Sequence, residues 1–283
     1  MNNIGVASAF KTVVIPINDI DLDATFDCGQ CFRFERQIDG SWSGVAFSQS
    51  VNVRYEDGLL IITGTGGASS EKIWHSYFDI DRDYLEIKHS LSSDAVLKRA
   101  IAYAWGIRVL HQEPWEALCS FIISQNNNIP RIKGIISRLC ENFGQKLEDG
   151  TYAFPSPQTL CELSIDDLAP LRSGFRAKYI IDAAKKVSLG EVNLETLSKM
   201  TVEAARAELI KIKGVGAKVA DCTLLFGCGR IDCFPIDVWI KRVLTCFYPD
   251  GFPIEFAPFG GIAQQYLFHY ARCCPECELN RHE

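Results

Sequence analysis

Leu209-Ile210-Lys211-Ile212-Lys213-Gly214-Val215-Gly216-Ala217-Lys218-Val219-Ala220-Asp221-Cys222 is the stretch that decides the fold. It reads as a helix, a Gly-Val-Gly hairpin and a second helix that carries Lys218 on its first turn. Gly214 and Gly216 place small residues where a backbone must come close to something. The amides that open a helix are unpaired and point outward, which suits an anion such as a phosphate. An acid follows at Asp237, behind Pro235-Ile236 and ahead of an apolar run, which is helix-cap placement. A lysine beside an anion seat, followed by a carboxylate, suits chemistry on a DNA backbone.

Outward from the hairpin, the period is helical over most of the chain. Ser92-Ser93-Asp94 can cap a helix carrying Val96, Leu97, Ala100, Ile101 and Ala104. Pro114 opens a helix through Ile123. Ile132, Ile135, Ile136, Leu139 and Phe143 form an apolar stripe on the next. Further helices are expected near 177–187, 201–211, 217–227, 238–247 and 260–272. A Gly, Pro and Ser cluster at 145–157 reads as a longer loop. The first 90 or so residues read as strands instead, at 12–17, 32–34, 43–47, 51–55 and 59–63, with turn signals at Asp39-Gly40 and Asp57-Gly58. Lys72–Phe78 suits either a short helix or a strand edge. The expectation is an α+β protein. An N-terminal antiparallel sheet domain with a flanking helix, residues 1–91, packs on a mainly α-helical domain, residues 92–283.

Composition bounds the function. The 283 residues are 47% hydrophobic and 23% charged, as in soluble globular proteins. No apolar run approaches the ~20 residues of a membrane span. Met1-Asn2-Asn3-Ile4-Gly5 has no secretion pattern, so an intracellular place is expected. The net charge of −6 argues mildly against a nucleic-acid partner. A local basic face can override it, and Lys211, Lys213, Lys218, Arg230, Lys241 and Arg242 cluster around the hairpin, mixed with Glu203 and Glu208. Twelve cysteines without a secretion signal point to a reducing compartment and mostly free thiols. Cys273, Cys274 and Cys277, with His269 and His282 nearby, do not space themselves as the four ligands of a structural zinc site.

The hairpin with its distal aspartate resembles the helix-hairpin-helix DNA glycosylases, and within them the 8-oxoguanine DNA glycosylases. Five further blocks fall in that family's order. They are Cys28-Gly29-Gln30-Cys31-Phe32-Arg33, Trp42-Ser43-Gly44-Val45, Ser124–Arg131 (SQNNNIPR), Gly174-Phe175-Arg176-Ala177 and Gly261-Ile262-Ala263-Gln264. The resemblance covers roughly residues 12 to 272.

It implies a base pocket between the two halves. Lys218 becomes the nucleophile, a free amine that displaces the base and forms an imine. Asp237 becomes the catalytic aspartate, which a helix cap alone would also explain. Cys222, four residues on, faces the same side of the helix. It is either a buried thiol or half of an ammonium–thiolate dipole beside the base. Gly29 is either a turn glycine or the carbonyl that accepts from the lesion's N7 hydrogen, where guanine has only an acceptor. Phe268 would stack on an extruded base and Gln264 read its edge, with Pro235 completing the pocket. Asn126, Arg131, Phe175 and Arg176 would fill the gap and hold the orphaned cytosine, although Asn126 also suits turn chemistry. Trp239 stands where animal relatives have a phosphate-contacting histidine, and Ser124-Gln125 replaces a pair of small residues there. Some relatives carry an iron–sulfur cluster on four spaced C-terminal cysteines, a spacing absent here. No redox cofactor is required, and main-chain carbonyls of Ile210, Ile212 and Val215 would seat a structural cation.

The resulting expectation is a monomeric, bifunctional glycosylase/lyase acting on duplex DNA with 8-oxoguanine opposite cytosine. Its place would be the cytoplasm or nucleoid of a prokaryote, or a nucleus. The rivals are a glycosylase for another damaged purine and a non-catalytic helix-hairpin-helix DNA-binding protein. A metal-dependent nuclease lacks its carboxylate cluster.

Overall fold

A computed structural model describes residues 11–65, 70–275, 277 and 279. The first half builds a five-stranded antiparallel sheet. Its strands are β1 (Lys11–Pro16), β2 (Phe34–Arg36), β3 (Trp42–Ala46), β4 (Gln49–Glu56) and β5 (Leu59–Gly64), in the order β1-β5-β4-β3-β2. Asp57 and Gly58 both take positive φ (49° and 78°), the two-residue turn whose twist matches paired strands. That sets Val53 opposite Ile62. Alternate side chains then share one face, and Ile15, Val51, Val53, Leu60 and Ile62 are buried on it. Helix α2 (Ser70–Tyr77) covers that face with Trp74 and Tyr77, followed by Phe78. Lys72–Phe78 is therefore helical, not a strand edge.

Two more helices lie in this half, where the sequence pattern reads as strands. Helix α1 (Leu22–Phe26) spans little more than one turn and is capped by Asp21, whose carboxylate accepts from the Ala24 amide. Phe26 from α1 stacks on Phe34 at 4.3 Å between centroids. Helix α3 (Tyr84–Leu91) is capped by Asp83. Its Tyr84, Ile87 and Leu91 enter the core of the helical half, whereas Leu110 enters the sheet's core. The two halves therefore interleave along the chain.

The helical half contains α4 (Ala95–Tyr103), α5 (Pro114–Ser124), α6 (Ile129–Phe143), α7 (Pro157–Cys161), α8 (Ala177–Ser188), α9 (Val202–Ile210), α10 (Ala217–Cys228), α11 (Val238–Phe247) and α12 (Gly260–Cys273). Asp94 caps α4 through the Val96 and Leu97 amides, as the Ser-Ser-Asp run predicts. Helices α5 and α10 are apolar on nearly every side and are buried from Glu116 to Ile123 and from Val219 to Phe226. They pack closely, because a β-carbon at Gly227 would stand 2.8 Å from the Pro114 Cα. This buried pair fixes where the first turn of α10 and the last turn of α5 emerge, side by side at one cavity. Among the described residues, no helix is long and apolar enough to cross a membrane.

Candidate active site

The hairpin between α9 and α10 is held from both sides. Ile212 and Val215 are buried, and the Val215 amide donates to the Ile212 carbonyl at 3.0 Å. Asp182 on α8 accepts from the Lys213 amide at 2.7 Å, and the Lys186 ammonium donates to the Lys211 carbonyl at 2.5 Å. Gly214 has φ +81°, and a β-carbon there would meet the Tyr179 ring at 2.5 Å. Its close approach is thus to an aromatic face of the same chain. Gly216, the N-cap of α10, has extended backbone and open space around it.

One cavity of about 690 Å³ opens beside this helix start. That size lies within the usual range of small-ligand sites. It gathers Gly29, Asn126, Lys218, Cys222, Pro235, Asp237, Gln264 and Phe268. Five further candidates, Arg131, Phe175, Arg176, Gly214 and Gly216, do not line it.

Lys218 sits on the first turn of α10, half-buried, and its ammonium donates to the Ser124 Oγ at 3.2 Å. Its Nζ lies 4.9 Å from the Phe121 ring centroid. Asp237 caps α11 by accepting from the Ile240 amide at 2.8 Å. The cap is real, and it leaves carboxylate lone pairs for a second task. Cys222 is buried, one helical turn below Lys218. Burial pushes its thiol up to about 11, and the Lys218 charge pulls it back only in part. Burial therefore works against the ammonium–thiolate dipole that the spacing allows, and the Lys218 charge works for it.

Gly29 has φ +76°, and a β-carbon there would touch Phe268 at 3.4 Å. Two glutamines that the sequence pattern did not single out hold this segment. Gln265 donates to the Cys28 carbonyl at 2.9 Å. Gln30, fully buried, donates to the Thr25 and Arg108 carbonyls at 2.8 Å and accepts from the Leu110 amide at 2.9 Å. Little that is local marks either one, since apart from Thr25 their partners lie about 80 to 240 residues away. Gln264 is 5% exposed, and its Oε1 has no partner among the described residues. A buried amide oxygen of this kind costs about 1–3 kcal/mol unless something completes it. Arg272 also lines the cavity and donates to the Asp27 carbonyl at 3.2 Å. Trp239 lines it too, with the Arg242 guanidinium 5.0 Å from its ring centroid.

On the rim, Asn126 takes a left-handed φ of +47°. Arg176 is 2% exposed and Phe175 47% exposed, the guanidinium lying 4.5 Å from the Phe175 ring centroid. Arg131 is exposed on the first turn of α6. Among the described residues, no group of three or more His, Cys, Asp or Glu is placed to hold a metal ion, and His282 lies outside them.

Residues 12–118 match the model of the 8-oxoguanine DNA glycosylase N-terminal domain, and residues 119–250 that of the HhH-GPD superfamily of base excision DNA repair proteins. The solved structure of MBOgg1 in complex with a low-affinity DNA ligand is 46% identical and superposes with a TM-score of 0.88, over 93% of this chain and 98% of that one. The chain belongs to the 8-oxoguanine DNA glycosylase family. A second family structure, the Clostridium acetobutylicum 8-oxoguanine glycosylase/lyase with double-stranded DNA containing cytosine opposite the lesion, is 38% identical. It superposes with a TM-score of 0.86 over 93% of this chain and 97% of that chain. The probable N-glycosylase/DNA lyase of Methanothermobacter thermautotrophicus is 29% identical, over 91% of this chain and 95% of its own. Family membership accounts for the α+β architecture.

Proposed function

We propose that this chain removes 8-oxoguanine from duplex DNA, opposite cytosine, and then nicks the abasic strand. The observation that carries the reading is one cavity lined together by Lys218, Asp237, Gly29, Gln264 and Phe268. All of these come from one chain, which supports a monomer as the active unit. An expelled base would stack on Phe268, and Gln264 would complete its own unpaired oxygen on the base edge. The Gly29 carbonyl would accept from the lesion's N7 hydrogen, where guanine presents a repelling lone pair.

The attacking form of Lys218 is the free amine, so a proton leaves its nitrogen first. The nitrogen then bonds to the anomeric carbon as the C1′–N9 bond breaks. The electron pair departs with the base, which takes up a proton. Asp237 stabilises the positive charge that builds on the sugar. Loss of a second proton from nitrogen lets its lone pair form the C=N bond as the C1′–O4′ bond breaks, O4′ taking the electron pair and a proton, and this leaves an imine. The imine acidifies the C2′ hydrogen, and its removal expels the 3′ phosphate.

The last carbonyls of α9 and the hairpin (Ile210, Ile212 and Val215) are hard oxygen donors at a negative helix end, and we propose them as a seat for a monovalent or divalent cation. We take residues 1–91 as the half that supplies Gly29 and residues 92–283 as the half that supplies the nucleophile. The place of action would be wherever the genome lies, a prokaryotic nucleoid or a nucleus.

Borohydride trapping on a duplex with one 8-oxoguanine opposite cytosine tests the reading. The expected result is a covalent band with the unaltered chain and none with Lys218→Gln or undamaged guanine. Base release without a band would demote Lys218 to a phosphate contact. Neither band nor release would move the reading to another lesion or to a DNA-binding role.

A further inference from the structure

Gly29 meets the cavity with φ +76°, and a β-carbon on it would stand 3.4 Å from the Phe268 ring. Glycine suits that close approach, yet it leaves the main chain there with more freedom than any other residue would. Buried glutamines restrict that freedom on both sides. From α12, Gln265 donates its Nε2 to the Cys28 carbonyl at 2.9 Å. From the segment before α5, Gln112 donates its Nε2 to the Gln30 carbonyl at 2.7 Å. Peptide units are planar, so these bonds hold the plane before Gly29 and the plane after Gln30. The carbonyl between them belongs to Gly29, and among the described residues it takes no hydrogen bond. Gln264 adjoins Gln265 on α12 and lines the cavity, its Oε1 without a partner among the described residues. One helix thus carries the side chain proposed to read the base edge and, one residue on, the bond that sets where the Gly29 carbonyl stands relative to it.

We infer that Gln265 is a positioning residue that determines specificity. With Gln112 it holds the Gly29 carbonyl at the spacing from Gln264 that admits a purine with a hydrogen on N7 and turns guanine away. Its amide nitrogen is committed to the main chain, so it acts through Gly29. This rests on the proposed glycosylase activity, and one of the two readouts below is independent of it.

The first readout is the backbone amide order parameter of Gly29, from NMR relaxation of the full chain without DNA. Gln265→Met keeps the bulk of the side chain and removes the donor. The order parameter is expected at about 0.85 in the unaltered chain and below about 0.6 in Gln265→Met. An unchanged value overturns the inference. Should Gln265→Met not fold, Gln112→Met releases the other flank and is expected to move both readouts the same way. The second readout is binding to duplexes that carry a non-cleavable 2′-fluoro nucleotide, with 8-oxoguanine or guanine as its base, opposite cytosine. Gln265→Met is expected to shrink the preference for 8-oxoguanine about tenfold, the worth of one hydrogen bond. Borohydride trapping on a pre-formed abasic site is expected to stay unchanged, because no base is read there. A preserved preference, or trapping that falls along with it, gives Gln265 a structural role alone and overturns the inference. If the unaltered chain releases no 8-oxoguanine from a lesion duplex, the proposed activity has failed, and the order parameters still decide whether Gln265 holds Gly29.

Discussion

Gln264 and Cys222 show how single atoms divide the work inside the cavity. The unpaired Oε1 of Gln264 needs a donor, and an expelled base can supply one. Gln264→Ala is expected to slow lesion excision by about tenfold to a hundredfold, the worth of one buried hydrogen bond. Trapping on a pre-formed abasic site should survive, because no base is read there, and comparing the two substrates checks the assignment. Burial pushes the Cys222 thiol up to about 11. Cys222→Ser should therefore leave the shape of the excision pH profile unchanged between about pH 6 and 9, the range in which an ordinary thiol begins to ionise. A limb that vanishes in the variant would mean the thiolate takes part. That Lys218, Asp237, Gly29, Gln264 and Phe268 would meet at one cavity was legible because each sits in or beside a short local block. Gln30 and Gln265 were not, because whether a glutamine is a solvated surface group or a buried clamp depends on carbonyls far away in the chain.

Among the elements, the hairpin is the most exposed to a small change. A β-carbon at Gly214 would collide with the Tyr179 ring, and the φ of +81° adds strain. Gly214→Ala is expected to cost about 1–3 kcal/mol locally and to weaken duplex binding more than it lowers the melting temperature. Parallel binding and melting measurements check this. Tyr179 meets Phe175 edge-on at 5.8 Å between centroids. The hairpin therefore touches, through one ring, the turn that carries Arg176. Sequence periodicity located the long helices well, since an apolar stripe over three or four turns has few alternative readings. It failed at α1, which is too short to show a period. It also failed at Phe47-Ser48, a two-residue turn with φ of 52° and 55° built without glycine or asparagine.

At the scale of the molecule, a buried charge cluster joins the two halves. Arg33, beside the sheet, pairs with Glu116 of α5 at 3.1 Å, and Glu113 stands next to them. Burial pushes the Glu113 carboxyl up to about 7, the Glu116 charge adding to the effect and Arg33 opposing it. The folded carboxyl thus holds its proton more tightly than the unfolded one. Its contribution is complete below about pH 4.5 and is lost as pH rises through about 7. Glu113→Gln should flatten the fall in stability across that window, by up to about 3 kcal/mol at pH 8 relative to pH 4.5. Melting temperatures of both proteins at pH 5 and pH 8 decide it, and an unchanged slope would assign the dependence elsewhere. The net charge of −6 did not disclose a DNA-processing family, because a whole-chain sum does not say where on the surface the charges lie.

The interleaving of the two halves has a consequence during synthesis. The strands leave the ribosome first, yet their core waits for Leu110, while Ala24, Cys28 and Phe32 wait for partners in the helices that follow. An early nascent chain therefore holds β-rich, unfinished surface, the form most prone to pair with a neighbour. Slow translation beyond residue 65 would lengthen that exposure, and holdase chaperones would be expected to meet this chain before the hairpin is made.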